Sequence, residues 1–376
     1  MISIWEKETF FAPQDIVIIG SGFVGLWSAF HLIRKNPTAK ITILERGLIP
    51  TGASTRNAGF ACFGSLSEVI NDAQTMGAEK MLSILEMRYK GLQSIQKYFK
   101  ASEIDFDLCG GYELYDERLT TEALSANIEY VNALVKPVTG EKQTYKQADK
   151  KIGAFGFGKT THLVKNNLEG YLHPGKLIKA LLRRVQAAGV QVLTGIEVLG
   201  FEEKSGHLEL HTAHHFNFTT KQLLLCTNAF TKELVPALDI VPARGQVLLT
   251  SPIKNLLFNG TFHAEEGYYY FRNLGDRVLL GGARHKAFEE EGTIEMTTSP
   301  TIQNHLEKYL NEVVLPYHKG TYTIEHRWSG IMAMGSEKSP IVRQLHPNVF
   351  CAVRMSGMGV ALAPIVAQQV SKLMQP

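Results

Sequence analysis

Cysteine is scarce. Cys62, Cys109, Cys226 and Cys351 are the only four in 376 residues, far apart and without a C-x-x-C pair. That spacing argues against a disulfide framework and against a zinc site, and it fits reduced thiols in a cytoplasmic protein. No apolar run approaches the roughly 18 residues of a membrane-crossing helix. The opening residues, MISIWEKETFFAPQ, lack a basic stretch followed by an apolar one, so no secretory signal is expected. Charge of one sign is lacking too. The formal net charge is +3 and no Lys/Arg cluster stands out, which argues against nucleic acid as a partner. Internal repeats and low-complexity segments are absent. What remains is 44% hydrophobic and 20% charged, an ordinary globular balance over a length that suits two domains.

The pattern along the chain alternates. Residues 15–19 (DIVII) predict a buried parallel strand ending in glycine, 23–35 a helix, and 40–44 (KITIL) the next strand. Residues 50–68, rich in Gly, Ser, Thr and Asn, predict a loop, and 77–100 a helix. Strands are expected within 104–116 and a helix over 121–135, whereas 141–167 is irregular by pattern. Residues 174–188 form a strongly amphipathic helix with Pro174 at its start and Gly189 at its end. Strands near 190–193 and 196–202, a polar hairpin near 207–220 and a buried strand at 222–226 follow. From 241 to 284 short strands separated by turns predict an antiparallel sheet. A helix over 299–314, strands near 321–327 and 348–353, and a last helix ending near 374 complete the chain. The order suits an α/β and α+β protein: a discontinuous Rossmann-like domain (1–80, 160–230 and 328–376) with an inserted antiparallel-sheet substrate domain (81–159 and 231–327).

The first strand runs into Gly20-Ser21-Gly22-Phe23-Val24-Gly25, a G-x-G-x-x-G turn that opens a helix. Gly20 allows the tight turn, Gly22 lets backbone approach a pyrophosphate, and Gly25 lets helix and strand pack closely. The helix N-terminus then offers free N–H groups to phosphate oxygens. Glu45 stands 20 residues after Gly25 at the end of the second strand. A carboxylate there accepts the ribose hydroxyls of an adenosine and repels a 2′-phosphate, which argues against NADP. NAD and FAD both satisfy that motif. The donor-rich loop Gly52-Ala53-Ser54-Thr55-Arg56-Asn57-Ala58-Gly59 favours FAD, because its hydroxyls, guanidinium and small residues suit a chain wrapping a pyrophosphate and a flat ring.

With these motifs the sequence resembles the FAD-dependent D-amino acid oxidase superfamily, which includes glycine oxidase, sarcosine oxidase and γ-glutamylputrescine oxidase-like proteins. The resemblance runs through GASTRNAG, GYLHPGKLIKALLRRVQAAGVQVLTGIEVLGF, LLLCTNAFTKELVP, VPARGQ, YYYFR with VLLGG, RWSG and RMSGMGVALAP, in that order. It implies that Arg46 and Ala53 belong to the cofactor site with Glu45, and that Ser54, Arg56, Asn57, Ala58 and Gly59 contact the pyrophosphate, ribityl chain and ring. It also implies that Val198 meets the adenine edge through its backbone, that Thr227 and Asn228 close over the dinucleotide, and that Gly330 of the W-x-G motif lies at the cofactor. Arg354, Gly357, Met358, Gly359 and Val360 would bring backbone N–H groups to the flavin N1/C2=O end, where negative charge gathers on reduction. Arg56 stands where relatives with a histidine-attached flavin carry histidine, so noncovalent FAD is expected. The two arginines with which glycine oxidase-like enzymes hold a carboxylate correspond to Met332 and Met355, with Arg354 one position away. The oxygen-activating lysine of sarcosine oxidases corresponds to the apolar stretch at Leu279–Leu280.

The expected reaction is oxidation of the C–N bond of a small amine or amino-acid-like substrate, by hydride transfer to flavin N5, with O₂ or another acceptor taking the electrons. Tyr268 to Phe271 alternate faces on a strand, and Tyr270, Arg272 and Arg284 are the polar candidates for the substrate, against a plain reading as strand packing and surface charge. Alternatives are an FAD-dependent 2-hydroxy acid dehydrogenase, a flavoprotein that binds a ligand without turnover, and an NAD enzyme. His211, His214 and His215 sit on a polar hairpin with no neighbouring acid or cysteine, so a solvated turn is expected there and no metal.

Overall fold

The computed structural model describes residues 1–214 and 216–374. The chain folds into two compact units, one of residues 1–55, 175–242 and 332–376 and the other of 56–174 and 243–331. The expected division differs at its edges. Residues 56–80 and 160–174 lie in the second unit, because Phe60–Ala61 pairs with Gly170–Tyr171 and the backbone N–H groups of Phe63 and Gly64 donate to the buried carboxylate of Glu169 at 2.8 and 3.1 Å.

In the first unit, the strands run in the order Ile341–His346, Val349–Val353, Asn217–Leu225, Gln14–Ile19, Ile41–Glu45 and Gln191–Thr194. All neighbours are parallel except the first pair. The strands Val349–Val353, Gln14–Ile19 and Ile41–Glu45 and the end of Asn217–Leu225 are buried on both faces, as their Val/Ile/Leu runs require, while the edge strand Gln191–Thr194 is half-exposed. The hairpin extends the third strand: His207–Thr212 pairs with Asn217–Leu225 and with Val198–Lys204. The separate strand expected at 222–226 is therefore the end of one nine-residue strand. Helix Phe23–Lys35 starts at Gly22, and helix Gly359–Leu373 packs against it.

The second unit is built on an eight-stranded sheet in the order Ile324–Met334, Val241–Thr250, Arg277–Gly282, Tyr269–Leu274, Thr261–Ala264, Gly111–Tyr115, His162–Asn166 and Tyr145–Gln147. It is antiparallel at each described pairing but one, Thr261–Ala264 with Gly111–Tyr115. One face carries Tyr112, Phe262, Tyr269, Phe271 and Leu280, packed with Ile302, Leu306 and Leu310 of the helical stretch 300–314. The Phe262 and Phe271 rings stack at 4.8 Å within this core. Burial of each such ring contributes about 1.5–3 kcal/mol. Cross-strand partners point the same way, so Glu113, His263, Tyr270, Gly281 and Val247 form one row on the opposite face.

Two stretches are more ordered than their patterns suggest. Residues 66–76 form a helix, capped by Ser65, whose hydroxyl accepts from the Glu68 N–H, where a loop to 68 is expected. The irregular stretch 141–167 holds two sheet strands and two short helical turns. No helix among the described residues is long and apolar enough to cross a membrane.

Candidate functional site

In the first unit a glycine turn joins strand Gln14–Ile19 to helix Phe23–Lys35. Gly20 has φ of +100°, and a Cβ there would lie 2.8 Å from the Cys226 carbonyl oxygen. A Cβ on Gly25 would lie 1.9 Å from the Gly20 carbonyl oxygen, so only glycine lets helix and turn meet this closely. Gly22 makes no side-chain cap, and the Phe23 N–H instead donates to Ser54 Oγ at 2.9 Å. The next N–H groups, of Val24 and Gly25, stand in the first turn, where a helix has no acceptor of its own. Glu45, 8% exposed, accepts from Ser21 N–H and Oγ on one oxygen (3.0 and 2.7 Å) and from Gly47 N–H on the other (2.9 Å). The oxygen that accepts from Gly47 keeps a lone pair for a further donor.

The other expected cofactor residues of this unit have these surroundings. Arg46 stacks 3.9 Å over the Phe230 ring and pairs with Glu197 and Glu233 at 3.8 and 3.7 Å. Val198 is buried opposite Thr212, and Ala53 begins the short helix that carries Ser54. Asn228 follows Thr227 in the left-handed region at φ +48°, and Thr227 Oγ1 bonds Thr231 Oγ1 at 2.8 Å. Arg354, Ser356 and Gly357 also have positive φ, a tight turn that feeds Met358, Gly359 and Val360 into the last helix. Asn228 Oδ1 and Ser356 Oγ are buried without a hydrogen-bond partner among the described residues. The Arg354 side chain is occupied: it donates to Ser339 O at 2.9 Å and Asp239 O at 3.1 Å and pairs with the Asp239 carboxylate. It is therefore held inside its own unit and is not free to replace a carboxylate-binding arginine.

In the second unit, Arg56 donates to Ser329 O at 3.0 Å while Trp328 Nε1 donates to Arg56 O at 3.0 Å, which ties the donor-rich loop to the strand Ile324–Met334 beside Gly330 of the W-x-G motif. Asn57 Oδ1 accepts the Gly59 N–H at 2.9 Å. Ala58 packs with Val247, Leu249 and Leu279, and Phe60, Tyr270 and Trp328 close this cluster. The Phe60 ring meets His263 edge-on at 5.0 Å and Tyr270 at 5.8 Å. Tyr270 lies flat across Gly281, where a Cβ would come within 2.5–2.6 Å of the ring and its hydroxyl.

Burial sets the ionisation of this face. It pulls His263 down to about 4 and pushes the Tyr270 phenol up to about 12, although Arg284 nearby favours the phenolate. At neutral pH His263 is neutral and Tyr270 carries its proton. In the same row, burial raises Glu113, which accepts from Ser65, Ser67 and Tyr115, and elsewhere in the unit burial pushes Glu169 up to about 8.

Arg272 is a correction. It is 4% exposed, stacks 3.9 Å over Tyr171 and donates to the carbonyls of Leu172, Gly59 and Asn273 at 3.1, 3.4 and 3.0 Å. Burial lowers its pKa to about 10. Its Nε, Nη1 and one face are committed to the Asn273 carbonyl, the Gly59 turn and Tyr171, which is a packing role. Arg284 follows Gly282 and Ala283, both at positive φ, and lies 4.7 Å over Phe288. Phe60, His263 and Gly281 were not singled out in the sequence. For His263 and Gly281 the signal was the strand alternation that singled out Tyr270, extended one strand to either side, whereas Phe60, on the short strand after the donor-rich loop, carried no such signal. In the hairpin, His211 bonds Asn217 and His214 bonds Gly195 O, while His215 lies outside the described residues. No cluster of His, Cys, Asp and Glu suited to a metal exists among the described residues.

A strand, a glycine turn and a helix N-terminus backed by a buried acid define a dinucleotide-dependent enzyme, and an aromatic sheet face beside a donor-rich loop is the equipment of flavin chemistry. The family profile described as FAD dependent oxidoreductase (DAO) matches residues 15–373, and the chain belongs to that family. It is similar to a probable oxidoreductase OrdL of Rhizobium meliloti (24% identity, 93% of this chain, 80% of the relative). It is also similar to the γ-glutamylputrescine oxidoreductase of Escherichia coli K12 (23%, 96% and 83%) and to an L-2-hydroxyglutarate dehydrogenase of E. coli O17:K52:H18 (24%, 80% and 74%). Among solved structures, L-proline dehydrogenase of P. horikoshii superposes with a TM-score of 0.77 (19% identity, 96% and 93% of the two chains). Glycine oxidase of Geobacillus kaustophilus gives 0.76 (18%, 96% and 94%). The protein is an FAD-dependent oxidoreductase, and its residues fit that cofactor. The free first-turn N–H groups of Val24 and Gly25, the spare lone pair of Glu45 and the unpartnered oxygens of Asn228 and Ser356 are what a dinucleotide satisfies.

Proposed function

We propose that the protein oxidises the C–N bond of a small amine or amino-acid-like substrate, yielding an imine that water then hydrolyses. FAD, when bound noncovalently, supplies the two-electron acceptor that takes the hydride. The chain's own residues bind, orient and desolvate. Ser54, the first turn after Gly22 and Glu45 would hold the pyrophosphate and ribose. Arg56, Asn57, Ala58 and Gly59 would line the other end of the dinucleotide, with Gly330 and the turn from Arg354 to Val360.

The observation that carries the amine reading is the ionisation of the face around Tyr270. Burial keeps His263 neutral and Tyr270 protonated, so the surroundings disfavour new charge. A bound alkylammonium would meet the same penalty and shed its proton, and the neutral amine is the form that gives up hydride. No general base need then act on the C–H. Leu279, on the same face, offers no cation for oxygen, which supports slow reoxidation by O₂ and a different electron acceptor. A 2-hydroxy acid is the second reading, supported by the 2-hydroxyglutarate dehydrogenase relative.

Anaerobic mixing of the flavin-loaded enzyme with amines, amino acids and 2-hydroxy acids tests the proposal. Bleaching of the visible flavin band by a secondary or primary amine is expected, with a rate that rises with pH as the free amine increases. Bleaching by hydroxy acids alone would replace the amine reading, and bleaching by none of them would end it.

A further inference from the structure

We infer that Asp239 and Arg354 are positioning residues, a clamp that fixes the turn 354–358 and through it sets how readily bound FAD accepts electrons; this rests on the placement of that turn beside the flavin proposed above. Two non-glycine residues of the turn, Arg354 (φ +63°) and Ser356 (φ +46°), take the left-handed conformation, and Gly357 (φ +81°) follows. Side chains disfavour that conformation, and it persists only where the surroundings over-determine it. Glycine at 354 would take the same φ at little cost but would carry no arm to hold the turn.

The arm of Arg354 is fully engaged. Its guanidinium donates to the carbonyls of Ser339 and Asp239 at 2.9 and 3.1 Å and pairs with the Asp239 carboxylate. That carboxylate also accepts the Ser336 N–H at 3.0 Å and the Ser336 hydroxyl at 2.6 Å. One ion pair thus joins three stretches of the chain, at 239, at 336–339 and at 354. The arm passes Gly335, where a Cβ would lie 2.7 Å from Arg354 Nη1 and 2.8 Å from its Cδ, so the passage exists only because that residue has no side chain. Arg354 is buried, whereas the Asp239 side chain is 47% exposed, so the clamp closes at the surface.

What the clamp holds is a run of donors. The Ser356 N–H donates to Ala333 O at 3.2 Å and the Met358 N–H to Met355 O at 2.8 Å, which fixes the course of the turn. The next N–H groups, of Gly359, Val360 and Ala361, stand in the first turn of helix Gly359–Leu373, where a helix has no acceptor of its own and Met358 supplies no side-chain cap. Ser356 Oγ is buried without a hydrogen-bond partner among the described residues. A reduced flavin carries more negative charge than an oxidised one. Donors held rigidly at its pyrimidine end therefore favour the reduced form without reorganising, and a turn released from its clamp gives up part of that preference.

The test measures the two-electron reduction potential of the flavin-loaded enzyme by equilibration with reference dyes, which needs no substrate, beside FAD affinity and melting temperature. Asp239→Ala and Arg354→Ala should each lower the potential by about 30 mV, the two-electron equivalent of a tenfold loss of preference for reduced over oxidised FAD. Asp239→Asn, which keeps an accepting oxygen, should restore part of it. A merely structural clamp would weaken both forms of FAD alike, so a lower melting temperature with an unchanged potential in Asp239→Ala would overturn the inference. Asp239 is half-exposed, so its truncation leaves no core cavity and the test stands even if Arg354→Ala folds poorly. Ser356→Ala separates the clamp from the placement it rests on, and it should weaken FAD binding. Unchanged FAD affinity in Ser356→Ala would overturn placement and clamp together. Weakened binding there, with an unmoved potential in Asp239→Ala, would overturn the clamp alone.

Discussion

At the scale of the residue, two side chains show how much depends on small groups. Glu45 gathers Ser21 and Gly47 with both oxygens, so Glu45→Ala would loosen the glycine turn and remove the proposed ribose acceptor. Purified Glu45→Ala should bind FAD about 10- to 100-fold more weakly, measured by flavin fluorescence during dialysis. Gly281 carries no side chain because Tyr270 occupies that space. Gly281→Ala should push the ring aside, raise KM for substrate several-fold and leave flavin content unchanged. Steady-state kinetics beside an absorbance spectrum would check this. The glycine turn was readable from the chain because φ of +100° and a carbonyl within van der Waals contact admit no other residue. Arg272 was misread for the opposite reason. An arginine on an alternating strand looks the same whether it faces a ligand or three backbone carbonyls, and only the fold brings Gly59 and Leu172 to it.

At the scale of the element, long periodic segments were legible and short ones were not. Helices 23–35, 78–98 and 174–187 lie where their spacing put them, within a residue or two at each end. Helix 66–76 was hidden because its Ser65 cap and the Gly/Ser-rich stretch before it have the composition of a loop. Tyr145–Gln147 is too short to show a period, and the polar edge strand Ile341–His346 shows little alternation. Helix 300–309 is anchored through its cap. Gln246 accepts the Ser299 N–H, and Ser299 and Gln246 both donate to Glu291, the partner of buried Arg244. Removing one member strands the other charge in the interior. Arg244→Met should therefore cost about 3–5 kcal/mol, and Arg244→Met with Glu291→Leu should cost less than Arg244→Met alone, by urea unfolding.

At the scale of the whole molecule, buried titratable groups set opposing trends with pH. Glu169, held near 8 against a usual 4.5, keeps a proton in the folded chain that the unfolded chain releases. Its contribution to stability is complete below about pH 4.5 and drains away as pH rises through about 8. His31 and His263, pulled from 6.5 to about 4 by burial, act the other way. Their contribution is complete above pH 6.5 and is lost as pH falls toward 4. Between pH 6.5 and 8 only the Glu169 trend operates among these three. The free energy of unfolding should decline across that interval, and Glu169→Gln should flatten the decline, as denaturant titrations at successive pH values would show.

The interleaving of the nucleotide-binding unit has a consequence for how the chain is made. Its opening strand and helix emerge from the ribosome first. The strand at 349–353 that extends their sheet and the helix at 359–373 that covers them emerge last. Nascent chains halted before residue 349 would therefore carry an apolar strand and helix still lacking part of their cover, so during most of synthesis this region would depend on chaperones and remain open to proteases.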